Sequence, residues 1–462
     1  MKRTLNVETP KNIGKEVLLK GWVQSIRAHG KIIFFDLRDA SGIVQVVFTP
    51  KTKDYLVAKE EIKPEFIVQI KGKVLERPDN MKNKEIETGG IELQAEEVEI
   101  LSRAETPPFP IDTDGYEIGE KHRLKYRYVD LKRNRLKNNL KKRHDCINLM
   151  REILTKKGFL EVETPILTKS TPEGARDFVV PSRNFPSKFY ALPQSPQQYK
   201  QLLITSGIEK YFQIARCLRD EDPRGDRQPE FTQLDIEMAF PESEEEIMSL
   251  IEEIYIEIVK KIFPEKKIMQ TPFPRISYKE AMEKYNSDKP DLRKDKNSDE
   301  LAFCFITDFP MFEWKEEYKK WGAVHHPFTM PREKDINVIK DTPEKIQAYQ
   351  FDLALNGFEI AGGSLRTHDL KILKACFEVL GHSKEEFETQ FGHLLKAFEF
   401  GVPPHGGIAS GLDRFLAIAL NEESIREVIA FPKTGDNKDL MMNVPAEISE
   451  KQLNELNIKI KK

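Results

Sequence analysis

The chain has 462 residues, 39% hydrophobic and 32% charged, with a net charge of −3. That length suggests two or three domains with a sizeable core, while the near-balanced charge gives no overall sign of nucleic-acid binding. No stretch approaches about 18 uninterrupted apolar residues, the N-terminal MKRTLNVETPKNIGK lacks an apolar signal core, and Cys146, Cys217, Cys304 and Cys376 form no C-x-x-C pair; a membrane span, a secretory leader, structural zinc and a disulfide frame are therefore not indicated, and a reducing cytoplasm is expected.

Residues 17–27, 31–39 and 43–49 alternate apolar and polar positions and are separated by short turns, so each reads as a half-buried strand. A charged helix is expected over 52–63, then strands over 66–77 and 91–101. Three strands, a helix and two strands is the order of an OB-fold, a barrel that commonly holds single-stranded nucleic acid on its second and third strands. Phe34 and Gln45 lie there, where a ring can stack on a base and an amide can read its edge. This domain is placed at residues 1–103.

Residues 104–135 are expected to form a linker, since SRAETPPFPIDTDG is rich in Pro and Asp. Within 121–143 stand eleven Lys or Arg against one acid, Asp130. Such a run either attracts phosphates or is a solvated helix face. A helix begins near Leu136, with Ile147, Met150, Ile153 and Leu154 on one face, and Gly158 ends it. A strand over 159–165 then runs into Pro165.

Five segments carry chemistry. The first, 164–178, surrounds Glu173 with small residues, as a loop that closes over a ligand does. The second, SPQQYKQLL at 195–203, turns into a helix carrying Gln197 and Lys200. The third, 211–240, reads as two strands around a charged loop. Arg219 and Glu221 precede the turn; Pro223, Arg224, Gly225, Asp226 and Arg227 occupy it; Glu230, Gln233, Asp235 and Glu237 follow. So many charges on adjacent strands suit a charged ligand, because the arginine fork matches phosphate and carboxylate oxygens. An amphipathic helix at 242–263 reads as scaffold, and 286–300 as a polar surface loop. The fourth segment, 351–366, holds Asp352, Glu359 and Arg366. A turn at Asn356–Gly357 is needed to bring the two acids together. The fifth, PPHGGIASGLDRF at 403–415, is a Gly-rich strand-to-helix junction ending in Arg414, where a flat nucleotide can approach the backbone.

The Arg-x-Glu hairpin, the helix and strand before Pro165, and the GLDR helix stand in the order of a class II aminoacyl-tRNA synthetase catalytic domain. The segments ETPILTKSTPEGARDFVVPSR, SPQQYKQLL, RDEDPRGDRQPEFTQLDIEM, HHPFT and GLDRFLAIAL closely resemble aspartyl-tRNA synthetases of the bacterial type, over nearly the whole chain. The resemblance implies an α+β fold. An N-terminal OB-fold β-barrel would be followed, over 136–462, by a class II catalytic domain built on an antiparallel β-sheet flanked by helices. It implies that aspartate is activated by ATP with Mg²⁺ and passed to tRNA-Asp. The nearest alternatives are an asparaginyl- or lysyl-tRNA synthetase and a catalytically silent tRNA-binding paralogue; an amidoligase would lack the barrel.

By that resemblance Glu173 and Gln197 hold the amino acid, with Glu173 on the ammonium. Lys200 and Arg366 grip the side-chain carboxylate, Asp235 braces them, and His325 and His326 line the pocket. Two cations facing one carboxylate reject an amide. Arg219 serves the α-phosphate and Arg414 the γ-phosphate; these two and Glu221 carry the catalytic assignment. The remaining ATP positions are Asp220, Gln228, Phe231 under the adenine, Glu359, Gly411, Leu412 and Asp413. Asp352 and Glu359 hold Mg²⁺. In the barrel, Arg27, His29, Phe34, Gln45 and Glu92 meet the anticodon. Two features depart from the resemblance. The insertion of over a hundred residues usual in bacterial members is replaced by the short loop 286–302. His29 stands where members relaxed toward tRNA-Asn carry His. A homodimer through the region around Pro165 and a cytoplasmic location are also expected.

Overall fold

Alternation closes the N-terminal barrel. Strands β1 (Glu16–His29), β2 (Ile32–Arg38), β3 (Ile43–Phe48), β4 (Ile67–Glu76) and β5 (Ile91–Ser102) pair in the order β1-β2-β3-β5-β4. Only β3 and β5 run parallel. Val17, Leu19, Val23, Phe35, Leu37, Val44, Val46, Val68, Ile70 and Leu93 fill the interior. The period of two therefore turns Phe35 inward and leaves Phe34 on the outer face. The helix expected over 52–63 shrinks to a π-type turn at Val57–Glu61. Its first residues are tied to β5 instead: Thr52 Oγ1 donates to the Ala95 carbonyl at 3.0 Å and the Lys53 N–H to that of Glu96 at 3.1 Å.

The computed structural model describes residues 1–170, 174–221, 226–296 and 298–461, so Glu173, Pro223, Arg224 and Gly225 lie outside the described residues. The chain divides into two units, Met1–Ile111 and Asp112–Lys462.

In the second unit the segment expected as linker contains the helical turns Glu120–Lys125 and Arg127–Asp130. Part of the basic run there is buried rather than solvated. Arg123, Arg127 and Arg133 are buried around Asp130, at 3.2, 2.7 and 2.8 Å. Arg123 and Arg135 also reach Glu427, at 2.8 and 2.9 Å. Arg127 caps three carbonyls, those of Arg426, Ile429 and Ala430. These guanidiniums pin the segment to residues 422–430, which a count of charges cannot reveal.

Helix α1 (Asn134–Lys156) ends where Gly158 takes a positive φ of 82°. Eight of the described strands that follow form the large sheet: β6 (Leu160–Glu161), β7 (Lys210–Leu218), β8 (Glu230–Ala239), β9 (Arg275–Ser277), β10 (Phe303–Thr307), β11 (Gln350–Leu355), β12 (Phe358–Leu365) and β13 (His405–Gly411). Their order is β9-β10-β11-β12-β13-β8-β7-β6. The middle of the sheet is antiparallel as expected, but the edge pairs β6/β7 and β9/β10 are parallel, so the sheet is mixed. The strand expected over 159–165 is only two residues long, Leu160–Glu161, with one further backbone bond from the Val162 N–H to the Phe212 carbonyl at 3.1 Å.

Helix α2 (Gln197–Thr205) precedes β7, α3 (Glu244–Ile262) follows β8, and α4 (Leu412–Ala419) continues β13. Met150, Leu154, Ile247, Ile251, Ile254 and Ile258 of α1 and α3 pack with Leu234, Ile236 and Ile408 of the sheet. Because Leu234, Ile236 and Met238 join that core, Gln233, Asp235 and Glu237 project from the opposite face. The loop before β10 contains, among its described residues, an Asp291–Arg293 ion pair at 3.0 Å and the two-residue strand Glu300–Leu301, and no domain. No described helix is long and apolar enough to cross a membrane.

Candidate active site

The polar face of β8 meets the first turn of α2. Lys200, 1% exposed, places its ammonium 3.0 Å from Asp235 and 3.1 Å from Glu237. Arg366, just past the end of β12, reaches the same Glu237 with Nε at 2.9 Å and Nη2 at 3.1 Å, and donates Nη1 to Ser364 at 2.6 Å. One carboxylate thus joins the two cations. The sequence reading placed Glu237 in the charged strand but gave the bracing to Asp235 alone. The available signal was its spacing, two residues further along the same strand face.

Burial pushes the Asp235 carboxyl up to about 6, with Lys200 opposing. Burial also acts on Glu237, but Arg366 and then Lys200 outweigh it and hold the group down to about 2. Glu237 is thus the fixed anion of the group. Lys200 donates one hydrogen bond, to Asp235, and is ion-paired with Glu237, while three of the five N–H donors on Arg366 are engaged. The heads of Lys200 and Arg366 carry donors and no acceptor, so a group that they bind must accept.

Gly407 lies opposite Glu237 in the β8/β13 ladder. A Cβ there would overlap the Ile236 carbonyl and the Glu237 carboxylate. The Gly-rich junction therefore makes room for the anion as well as for a flat ligand.

His326 is half-buried beside this group, with its Nε2 atom shielded from solvent. Burial first, then the positive charges of Arg366, Lys200 and Arg219, lower it to about 3. All three cations therefore act on one neutral imidazole. The Nε2 atoms of His325 and His326 and the Asp235 Oδ1 are buried without hydrogen-bond partners among the described residues. Such atoms are expected in a pocket that a polar ligand completes.

A cavity of about 220 Å³ opens on the nucleotide side, lined by Arg219, Glu221, Gln228, Phe231, Glu359 and Arg414 among others. The Arg219 guanidinium lies 5.1 Å from the centroid of the Phe231 ring. Glu221 pairs with Arg227 at 2.9 Å. Arg414 reaches Asp226 at 3.4 Å and donates to the Glu359 carbonyl. Arg219 and Arg414 thus face one space, while the ion pairs around them are partly exposed.

Not every expected nucleotide position offers a free group. The Gln228 amide forms two bonds with the Lys433 backbone, at 2.7 and 3.0 Å. Asp413 accepts from the Thr232 N–H at 2.8 Å and from Arg143, so its carboxylate holds strand to helix. Leu412 belongs to the hydrophobic core. The Asp220 N–H donates to the Arg176 carbonyl at 2.9 Å, and Arg176 Nε donates back to the Asp220 carbonyl at 3.0 Å. Gly411 lines the cavity as expected.

Asn356 and Gly357 make the anticipated turn, with φ of 51° and 88°. The hairpin sets Asp352 opposite Gly362 and Glu359 opposite Ala354. Burial, then the neighbouring Glu359, raises the Asp352 carboxyl well above its ordinary value. Gln350 donates to it at 2.8 Å, and His325 Nε2 lies 3.6 Å away. Two close acids that repel each other suit a cation. Among the described residues no three His, Cys, Asp or Glu side chains gather as a metal cage. That donor set fits Mg²⁺, which keeps several waters and takes one or two carboxylates plus phosphate oxygens.

In the barrel, a groove of about 550 Å³ is lined by Arg27, His29, Phe34, Asp36, Gln45, Arg77 and Asn83. Arg27 pairs with Asp36 at 2.8 Å, and Gln45 donates to Glu92 at 3.4 Å. Arg77, 3.7 Å from Glu92, joins this face from β4 and was not singled out in the sequence.

The family tRNA synthetases class II (D, K and N) matches residues 119–435, and the OB-fold nucleic acid binding domain matches residues 17–101. The chain belongs to the class II tRNA synthetases. It is an ATP-dependent aminoacyl-tRNA ligase, with an α+β fold made of an OB barrel and a class II catalytic unit. An aspartate–tRNA(Asp/Asn) ligase of Dehalococcoides mccartyi is 39% identical over 98% of both chains. One from Rubrobacter xylanophilus is 40% identical, covering 97% of this chain and 95% of its own. An aspartate–tRNA ligase of Staphylococcus carnosus is 38% identical over 97% of both. The first of these alignments spans 589 positions against a chain of 462 residues, so that synthetase carries over a hundred residues that this one lacks. In fold, the chain resembles the asparaginyl-tRNA synthetase of Pyrococcus horikoshii, with a TM-score of 0.75 at 24% identity over 94% of this chain and 98% of that one.

Proposed function

We propose that this synthetase activates L-aspartate with ATP and transfers it to tRNA-Asp, and that it also accepts tRNA-Asn. The observation that carries the aspartate reading is the Lys200–Glu237–Arg366 group, whose two cationic heads carry donors and no acceptor. Asparagine would present an amide NH₂ to those donors; a buried site that leaves such a pair unmatched discriminates strongly. The relatives at 38 to 40% identity, named for aspartate, agree with this reading.

Glu173 and Gln197 hold the amino acid, with Glu173 on the ammonium. The substrate carboxylate attacks the α-phosphorus of ATP in line and expels pyrophosphate. The attacking group is already an anion, so no side-chain nucleophile is required. Arg219 neutralises charge on the α-phosphoryl group, Arg414 binds the γ-phosphate, and Phe231 stacks on adenine. Asp352 and Glu359 would hold Mg²⁺, which supplies charge neutralisation on the phosphates when bound. Glu221 orients the nucleotide at the cavity rim. In the barrel, Phe34 stacks on an anticodon base while Gln45, Glu92, Arg27 and His29 read its surroundings.

Leu160, Ile166 and Leu167 flank Pro165 and are 54, 45 and 52% exposed. This apolar strip supports a homodimer through that region. A cytoplasmic setting agrees with four buried free cysteines. The loop 286–302 stands in for the larger insertion, and activity survives without it. Charging purified tRNA-Asp and tRNA-Asn with radiolabelled aspartate tests the proposal. Both should be charged; charging of tRNA-Asp alone would remove the relaxed specificity, and charging of neither would remove the whole reading.

A further inference from the structure

A second buried polar chain starts on the same helix. Gln197 and Gln201 stand four apart on α2, one turn above each other. Gln197 Nε2 donates to Gln201 Oε1 at 3.2 Å, Gln201 Nε2 lies 3.0 Å from His405 Nε2, and His405 Nδ1 lies 2.8 Å from the Pro403 carbonyl. All three side chains are buried, at 6, 0 and 1% exposure.

The direction of each link is forced. A carbonyl can only accept, so His405 Nδ1 carries the hydrogen. A neutral ring then has a bare Nε2, which must accept from Gln201. Gln201 therefore presents its NH₂ to His405 and its oxygen to Gln197. Gln197 presents its NH₂ in turn and keeps its carbonyl oxygen for whatever lies beyond.

We propose that His405 and Gln201 are positioning residues that fix the Gln197 amide with its oxygen toward the ammonium of the amino-acid substrate. The inference rests on the aspartate reading and deepens it. A freely rotating Gln197 would offer its NH₂ to the ammonium half the time, donor against donor. The groups facing the His405 ring agree with a neutral imidazole. Burial, with Arg366 and His368 adding to it, lowers the ring to about 4 against the opposing pull of Glu237 and the Pro403 carbonyl. Phe398 packs edge-on at 6.0 Å.

The test is ATP–pyrophosphate exchange by the full chain with aspartate titrated. Gln201→Met and His405→Asn each break the chain and should raise the aspartate KM about tenfold. The ATP KM and kcat should stay within about twofold, and the double variant should be no worse than either single one, since both cut one chain. His405→Gln keeps an acceptor near the Nε2 position and should stay within about threefold of the parent. Succinate, which is aspartate without its ammonium, should inhibit all forms with one Ki. An unchanged aspartate KM, additive effects in the double variant, or a succinate Ki that rises in step would overturn the inference. If Gln201→Met does not fold, the contrast between His405→Asn and His405→Gln decides. A parent chain with no aspartate-dependent exchange would instead overturn the aspartate reading beneath it.

Discussion

The two ends of the catalytic cleft hold their charges differently. At the amino-acid end, Lys200, Arg366, Asp235 and Glu237 are at most 5% exposed and joined by short bonds. At the nucleotide end, Glu221–Arg227 and Arg414–Asp226 are single, partly exposed pairs. A small carboxylate is selected best by donors fixed before it arrives. A long triphosphate is gripped by arms that exchange one partner for another. Buried and exposed ion pairs also respond differently to substitution: removing one partner from a buried group strands a charge, while an exposed pair contributes little.

The largest expected effect breaks the buried end. Glu237→Gln leaves Lys200 and Arg366 with only Asp235. Stability should fall by about 3–5 kcal/mol in denaturant titration at pH 7, and aspartate-dependent exchange should drop sharply. A loss below about 1 kcal/mol would place this group with the exposed pairs and end the contrast.

Acid should act on the same end. Glu237 has a folded value of about 2 against an ordinary 4.5, so its contribution is present above 4.5 and is lost as pH falls from 4.5 toward 2. The imidazoles of His326 and His405 are held neutral, at about 3 and 4 against an ordinary 6.5. The unfolded chain takes up those protons first, so stability declines as pH drops below 6.5. Asp235, raised to about 6 from 3.8, works in the opposite direction and offsets part of this loss. Chemical denaturation across pH 7.5 to 3 should show a midpoint that declines below 6.5 and steepens below 4.5. A midpoint that climbs on acidification would contradict the assignment.

Phe34→Ala should weaken tRNA binding by about 1–3 kcal/mol while leaving ATP–pyrophosphate exchange unchanged. Filter binding alongside exchange separates the two. The smallest effect belongs to the open end. Arg227→Ala, which removes the partner of Glu221, should change stability by under about 1 kcal/mol, checked in the same denaturant titration as Glu237→Gln.

Local patterns account for what was legible beforehand. The alternation that puts Phe35 inside the barrel and Phe34 outside is written in neighbouring residues. So is the Asn356–Gly357 turn that faces Asp352 toward Glu359. The hidden parts depend on partners far apart in the chain. Arg123 and Arg127 resemble any basic run until Glu427 and the carbonyls of 426–430 are seen to receive them. Gln228 resembles a nucleotide ligand until Lys433 occupies its amide. His405 is read as the start of a glycine-rich junction, and its link to Gln201 crosses 204 positions.

The most direct measurement is ATP–pyrophosphate exchange by the purified chain with aspartate and with asparagine under identical conditions. Exchange with aspartate, and a kcat/KM for asparagine lower by about 10⁴ or more, is the expected result. Equal exchange with both, or a preference for asparagine, would mean that the Lys200–Arg366 donors do not read a carboxylate.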